Sequence, residues 1–224
     1  MPRLSPLLGA ALADITIEQQ LGMTSGIPDY MNVPNAAAAA LTEAPDTVWA
    51  SDQLIGFGAD GEVQPAGTPG YSTTGYIALQ EIAESLTGQT IGDLIRERIT
   101  EPLGMTGTAL PPNEDTMLPE PVSRGYLSTA CIEELVADSA EAVPVGTDTT
   151  DWNASYGLGM MQFSNQLGHE GEAIGWEGWA GHDPDTGLTV VVFTNTCSDS
   201  AAVFQALGAV DPVFAPTAEA LFGS

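Results

Sequence analysis

Two short segments of this chain place groups able to move protons or bind a carbonyl beside permissive backbone: Tyr71-Ser72-Thr73 and His169-Glu170-Gly171-Glu172. A phenol, with an ordinary pKa of about 10, takes part in proton transfer near neutrality only where a neighbouring cation favours phenolate. The chain has no lysine; its four basic residues are Arg3, Arg96, Arg98 and Arg124. By residue type alone, Tyr71 therefore also reads as a packing residue at a helix entry, with Ser72 or Thr73 as the cap. His169 is a lone imidazole on a strand-like run and reads equally as a surface or satisfied core histidine. Gly171 would let another backbone approach closely. Glu170 and Glu172, two apart, share one strand face. If that face meets a cleft, two carboxylates oppose an anionic ligand; otherwise they line a solvated edge.

Other chemistries find little support. Ser25 and Ser128 have no base at a familiar spacing. His169 and His182 lack the cysteine or carboxylate spacing of a zinc site, and no glycine-rich phosphate loop precedes a helix. Cys131 and Cys197 allow one bridge or two small buried thiols. No metal or other cofactor is implied. The formal net charge is −26, with 30 acidic residues against four basic ones. Such a surface repels phosphate and anionic lipid, so nucleic acid and acidic membranes are poor partners. The imbalance suits solubility in a salty or acid-tolerant regime, or a cationic partner. No apolar run reaches membrane-spanning length.

The elements that must position these groups follow from capping and periodicity. Thr16-Ile17-Glu18-Gln19 has a capping-box pattern that starts a helix, and Gly26 and Pro28 keep it stopped. Residues 36–45 are alanine-rich and read as a short helix or linker. Tyr76, Ile77, Leu79, Ile82, Ala83 and Leu86 follow helical spacing over 73–87, and Gly88 is suited to end that helix. A second helix is predicted over 91–100, closed by Pro102. Residues 108–155 are loop-like and proline-rich. From Met160 the pattern is β: a turn at Asp183-Pro184-Asp185-Thr186-Gly187, then a β-branched run, Leu188 to Thr194, long enough for a buried strand. Helical pieces are predicted near 200–207 and after Pro216. A length of 224 residues suits one domain, 1–224.

Several of these segments together resemble a known family. Ile15-Thr16-Ile17 through Ser25-Gly26-Ile27-Pro28-Asp29-Tyr30, the helix pair running on to Glu101-Pro102-Leu103-Gly104-Met105-Thr106, Pro121 to Tyr126, and the run from Gly168 to Thr196 are similar to the D-alanyl-D-alanine carboxypeptidase, class C β-lactamase and esterase family. The resemblance covers most of residues 14–196. It implies an α+β fold: an antiparallel β-sheet from the C-terminal half with packed helices, β-lactamase/transpeptidase-like and incomplete. Members attack a carbonyl with a serine activated by a lysine three residues later. The segment bearing that pair is expected upstream of residue 1. A second missing block is expected near 155, because Asp151 to Ser155 resembles the entry to a helical segment, yet Tyr156 to Met160, which resembles a later strand, follows at once. The resemblance also makes LLGAALADITIEQQL a lead-in to a surface helix, although the first thirteen residues imitate a small signal peptide. It implies an extracytoplasmic location.

The resemblance implies roles for the two segments. Tyr71 and His169 are the expected catalytic residues, a proton relay and an electrostatic group beside the nucleophile. Thr73, Gly171 and Glu172 are the expected substrate-binding residues. Thr73 stands where the family carries asparagine, so an amide that both donates and accepts is lost. The backbone N–H of Glu172 would form one arm of an oxyanion hole. The implied function is a serine hydrolase of carboxypeptidase, β-lactamase or esterase type, acting through an acyl-enzyme on a small-molecule or peptide amide or ester. With no lysine, these residues are expected to be an inactive fragment, or a non-catalytic relative that at most binds ligands.

Overall fold

The structure is a computed structural model of the 224-residue chain. It describes residues 14–32, 47–110, 154–163, 165–173 and 176–195. The chain forms two compact units, Met1–Val122 and Ser123–Ser224. The leader-like first thirteen residues, the alanine-rich stretch, Cys131, Cys197 and the helices expected after 196 lie outside the described residues.

Among the described residues, the first unit is helical. Helix α1 (Ile17–Leu21) opens with the capping box expected of it: Gln19 N donates to Thr16 Oγ1 at 3.1 Å, and Thr16 N donates to Gln19 Oε1 at 2.9 Å. A 3-10 turn, Tyr30–Asn32, precedes α2 (Ser51–Ala59) and α3 (Thr73–Thr87). Helix α3 has the predicted bounds, with Ser72 as N-cap and Gly88 as a left-handed C-cap at φ 71°. Its buried residues are small: Thr74, Gly75 and Ala78. They allow close approach, and Ala78 joins Ile27 and Ile55 in a core flanked by Ile15 and Ile77. Leu86 follows the helical spacing but is 64% exposed.

The helix expected over 91–100 changes character midway. Helix α4 (Ile91–Ile95) runs into a π-helical turn, Arg96–Thr100, closed by Glu101 N donating to Arg96 O at 2.9 Å. Pro102 lacks a backbone donor and crowds the carbonyl four residues before it. This accounts for a ladder that widens as it nears the proline.

The described part of the second unit is an antiparallel sheet in chain order: β1 (Ala154–Tyr156), β2 (Met161–Phe163), β3 (Gln166–Ala173), β4 (Trp176–His182) and β5 (Thr189–Thr194). Residues 154–156 are strand and pair in register with Met161–Phe163; Ala154 and Ser155 fall where a helical entry was expected, and Tyr156 falls where a strand was expected. Among the described residues of this unit, Trp179 and Val190 are the buried large apolar ones, 1% and 8% exposed. The β4–β5 connection is the predicted turn, with Asp183 Oδ1 accepting from Asp185 N at 2.9 Å. Strand β5 is not buried on both faces as expected. Val190 is buried, while Val191 and Phe193 are 56% and 75% exposed. The strand is last in an antiparallel order, and such sheets commonly cover one face only. The fold is α+β.

Candidate active site

Tyr71 stands one residue before the N-cap of α3 and is 41% exposed. The backbone on both sides of it is held by one residue. Gly70 N donates to Met23 O at 2.9 Å, and Ser72 N donates to the Met23 sulfur at 3.3 Å. Met23 is 2% exposed and has a left-handed backbone, φ 54°. This conformation is uncommon outside glycine, and such outliers gather at functional sites. Just past Tyr71, the Ser72 hydroxyl accepts from Gly75 N at 3.0 Å, as an N-cap should. Tyr76 Oη donates to Leu21 O at 2.9 Å, tying the same turn of α3 to the end of α1.

Thr73 is fixed by Asp29. The Asp29 carboxylate, 6% exposed, accepts from Thr73 N at 3.1 Å and Thr73 Oγ1 at 3.0 Å through Oδ2. Its Oδ1 accepts from Met31 N at 2.9 Å. A buried anion at the first turn of a fifteen-residue helix sits where the peptide dipoles favour it. Next to it, Tyr30 N donates to Thr74 Oγ1 at 2.9 Å. Burial first, then the charges of Asp29 and Tyr71, hold the Tyr30 phenol above its ordinary range. The sequence GIPDY therefore folds back on YSTT and braces it through the Asp29 carboxylate and the Tyr30 backbone N–H.

In the second unit, His169, Gly171 and Glu172 lie on β3, in register with Ala180, Gly178 and Glu177 of β4. Strand β2 pairs with β3 only over Gln166–Gly168. Beyond Gly168, that edge of β3 has no partner strand among the described residues. The two glycines flanking His169 and Glu170 differ in kind. A Cβ on Gly168 would lie 2.1 Å from the Ala180 carbonyl oxygen, whereas a Cβ on Gly171 would meet nothing within 4 Å. Gly168 is needed for strand packing, and Gly171 borders open space.

His169 has a partner on each ring nitrogen. Nε2 is 2.9 Å from Tyr156 Oη, with the rings edge to face at 5.6 Å and 87°. Nδ1 is in hydrogen-bond contact with the carbonyl oxygen of Glu170. Desolvation raises the Glu170 carboxyl above its ordinary value, and the charge of His169 opposes that rise. The residue itself is exposed, so water limits the effect.

Tyr71 and Thr73 thus share one unit, and His169, Gly171 and Glu172 share the other. Sequence reasoning missed Asp29 and Tyr156. Asp29 was visible as an acidic residue next to a turn, but its partner is 44 positions away. Tyr156 was visible only as the first residue of a glycine-rich strand approach. Among the described residues, no group of three or more His, Cys, Asp or Glu side chains is placed to hold a metal ion. Nor is any helix among them long and apolar enough to cross a membrane.

Known proteins resemble this chain in sequence and fold. The family model described as Beta-lactamase matches residues 2–121. Penicillin-binding protein 4* of Bacillus subtilis (strain 168) is 35% identical over 104 residues, which are 46% of this chain and 22% of that protein. The matched stretch is therefore less than a quarter of that relative's length. Among solved structures, a D-stereospecific amidohydrolase from Streptomyces sp. matches with a TM-score of 0.71 at 22% identity, over 91% of this chain and 77% of that one. A penicillin binding protein from Bacillus halodurans matches with a TM-score of 0.68 at 19% identity, over 94% and 79%. The D-amino acid amidase from Ochrobactrum anthropi SV3, solved with L-phenylalanine amide, matches with a TM-score of 0.65 at 21% identity, over 93% and 72%. These likenesses establish the fold. With the family model covering more than half of its residues, and the resemblance read from its motifs borne out, the chain belongs to the β-lactamase-related serine hydrolase family.

Proposed function

We propose that this chain carries residues for acyl transfer on an amide or ester, such as a D-amino acid amide, a peptide or a β-lactam. Its 224 residues would act as one β-lactamase-related domain, a reading that a likeness spanning 91% of the chain supports. The observation that carries the proposal is Tyr71, 41% exposed while the backbone on either side is clamped by Met23 and Asp29 grips the following helix turn. A phenol held in this way is pre-organised for proton relay at a reacting centre. Thr73 gives its hydroxyl proton to Asp29, so toward a substrate it acts as an acceptor only. That suits a substrate N–H. In the second unit, Gly171 leaves room for a substrate backbone, and the Glu172 amide, on the less-paired half of β3, serves as one oxyanion donor. Glu170 sets a carboxyl beside this edge and disfavours an anionic substrate end.

Chemistry of this kind needs a serine activated by a lysine, and these residues contain no lysine. That observation favours a second reading as well, in which the chain binds such ligands without turning them over. One experiment addresses both. The 224-residue chain should leave nitrocefin and p-nitrophenyl esters intact and should take no covalent label from a fluorescent penicillin. Joined behind a Ser-x-x-Lys segment of the same family, it should be labelled. Tyr71→Phe in the joined protein should slow acylation by about 10²–10⁴-fold, the usual worth of one proton-transfer group. Labelling that never appears in a folded joined protein favours the binding-only reading. Labelling that is indifferent to Tyr71→Phe removes the tyrosine from the chemistry. Robust turnover by the 224 residues alone would falsify the inactive-fragment reading.

A further inference from the structure

The surroundings of His169 define which of its ring atoms does what. The Glu170 carbonyl in contact with Nδ1 has lone pairs and no proton, so a hydrogen bond between them has Nδ1 as its donor. In the neutral ring this leaves Nε2 as the acceptor. Facing it at 2.9 Å is the Tyr156 hydroxyl, which can donate or accept. When the ring is neutral, the phenol donates to Nε2; when it is protonated, Nε2–H donates to the phenol oxygen. Rotation of one hydroxyl accommodates both states, and the Nδ1 contact is the same in each. The edge-to-face stacking at 5.6 Å and 87° keeps the two rings in this relation.

We propose that Tyr156 is a positioning residue of the site: its hydroxyl commits Nε2 of His169 while the Glu170 carbonyl commits Nδ1, so that His169 exchanges protons through Tyr156 rather than directly with a ligand. In such an exchange, the phenol passes its proton to Nε2 and takes one from an O–H or N–H of the ligand, which is left deprotonated. Tyr156 ends neutral and the ring ends as imidazolium, so charge and protons balance. His169 then acts on this strand as an oriented, relay-linked ring rather than as a freely placed cation. The functional consequence rests on the acyl-transfer reading above; the hydrogen-bond arrangement does not and can be tested without any activity.

The chain holds two histidines, so nitrogen-15 imidazole spectra contain two ring systems, and His182, whose Nδ1 lies 2.9 Å from Thr189 Oγ1, serves as an internal reference. Spectra of the 224-residue chain are taken at about pH 8.5, above the ordinary imidazole pKa of about 6.5. His169 should show the Nδ1–H tautomer in at least about tenfold excess, because the other tautomer turns a lone pair toward a carbonyl oxygen. In Tyr156→Phe, which keeps the ring and loses the hydroxyl, the Nε2 resonance should move downfield to the position of an acceptor without a donor. The Nδ1–H tautomer and the His182 signals should stay where they were. An Nε2–H tautomer at His169 in the unsubstituted chain overturns the proposal, and that measurement needs no variant. An Nε2 resonance unmoved in a Tyr156→Phe protein with unchanged His182 signals overturns it too. If Tyr156→Phe fails to fold, Nε2 is instead compared between pH 8.5 and a pH above about 11, where ordinary phenols have ionised. Loss of the Tyr156 proton should then release Nε2 downfield, and no movement there overturns the proposal.

Discussion

Asp29 and Tyr30 are adjacent and brace the Tyr71 segment in different ways, Asp29 through its carboxylate and Tyr30 through its backbone N–H. Asp29→Ala would leave Thr73 N–H, the Thr73 hydroxyl and Met31 N–H without their acceptor. A buried donor left unmatched costs about 1–3 kcal/mol. Some of these groups gain water in the variant, so the whole loss should be about 2–4 kcal/mol, read from urea unfolding followed by far-ultraviolet circular dichroism. A loss under about 0.5 kcal/mol would mean that Asp29 is not bracing α3. Tyr30 gives a pH signature. Burial and the charges of Asp29 and Tyr71 keep its phenol protonated above the ordinary value of about 10. The unfolded chain releases that proton near pH 10 and the folded chain only higher. Between the two values the unfolded state binds fewer protons, so stability falls as pH rises. The contribution is intact below about pH 10 and is lost on the way up to the folded pKa. Tyr30→Phe should therefore flatten the decline in melting temperature above pH 10 and leave it unchanged in slope below. An equal decline in both proteins would assign the alkaline loss to other groups.

At the scale of elements, the β3–β4 hairpin separates packing from function within a single strand. Gly168→Ala forces a Cβ to within 2.1 Å of the backbone oxygen of Ala180, which no rotamer can relieve. The strands must separate, at about 1–3 kcal/mol for an overpacked site. Gly171→Ala meets open space and should change melting temperature little. If Gly171 borders the ligand, the same substitution should weaken binding or acylation in the joined protein. Equal stability losses for the two variants would mean that β3 and β4 approach equally along their length. The helices and the hairpin were legible in the sequence because their signals are local. Thr16 to Gln19, Ser72 to Gly75 and Asp183 to Gly187 each satisfy their own backbone within a few residues. The 73–87 helix was read with both ends in place for that reason. The π-helical turn at Arg96–Thr100 was not, since apolar spacing is nearly the same for α and π geometry over five residues. Strand 154–156 was legible only at Tyr156, and its first two residues are strand through their pairing with Gln162 and Phe163. The candidate site residues were legible by type, in two separate segments of the sequence. What holds them was not, because the bonds from Asp29 to Thr73 and from Tyr156 to His169 depend on chain reversals that no local pattern encodes.

Charge is the property of the whole molecule that the fold does least to relieve. Four arginines face 30 acidic residues, for a formal net charge of −26. Arg96 pairs with Asp93 at 2.8 Å and with Glu101 at 3.5 Å, but all three side chains are well exposed. Pairs of that kind are worth little in water, about 0–1 kcal/mol each. The remaining carboxylates repel one another more in the compact state than in the expanded one, so self-repulsion weakens folding at low ionic strength. The screening length shortens from about 30 Å at 0.01 M salt to about 3 Å at 1 M. Across that range the melting temperature should rise, most steeply at the low-salt end, where the screening length is still comparable with the size of the molecule. Because screening depends on ionic strength and not on which monovalent cation is present, sodium chloride and potassium chloride should give superimposable curves. A rise with only one of the two salts would point to a bound cation instead of a screened surface. A flat curve would mean that the acidic residues are spaced widely enough for water alone to separate them. The same titration bears on the site, since Glu170 lies at the open part of β3. In the joined protein, Glu170→Gln should favour a carboxylate-bearing substrate over a neutral ester at low salt, with the advantage shrinking as salt is added. Equal gains on both substrates would place that carboxyl away from the reacting centre.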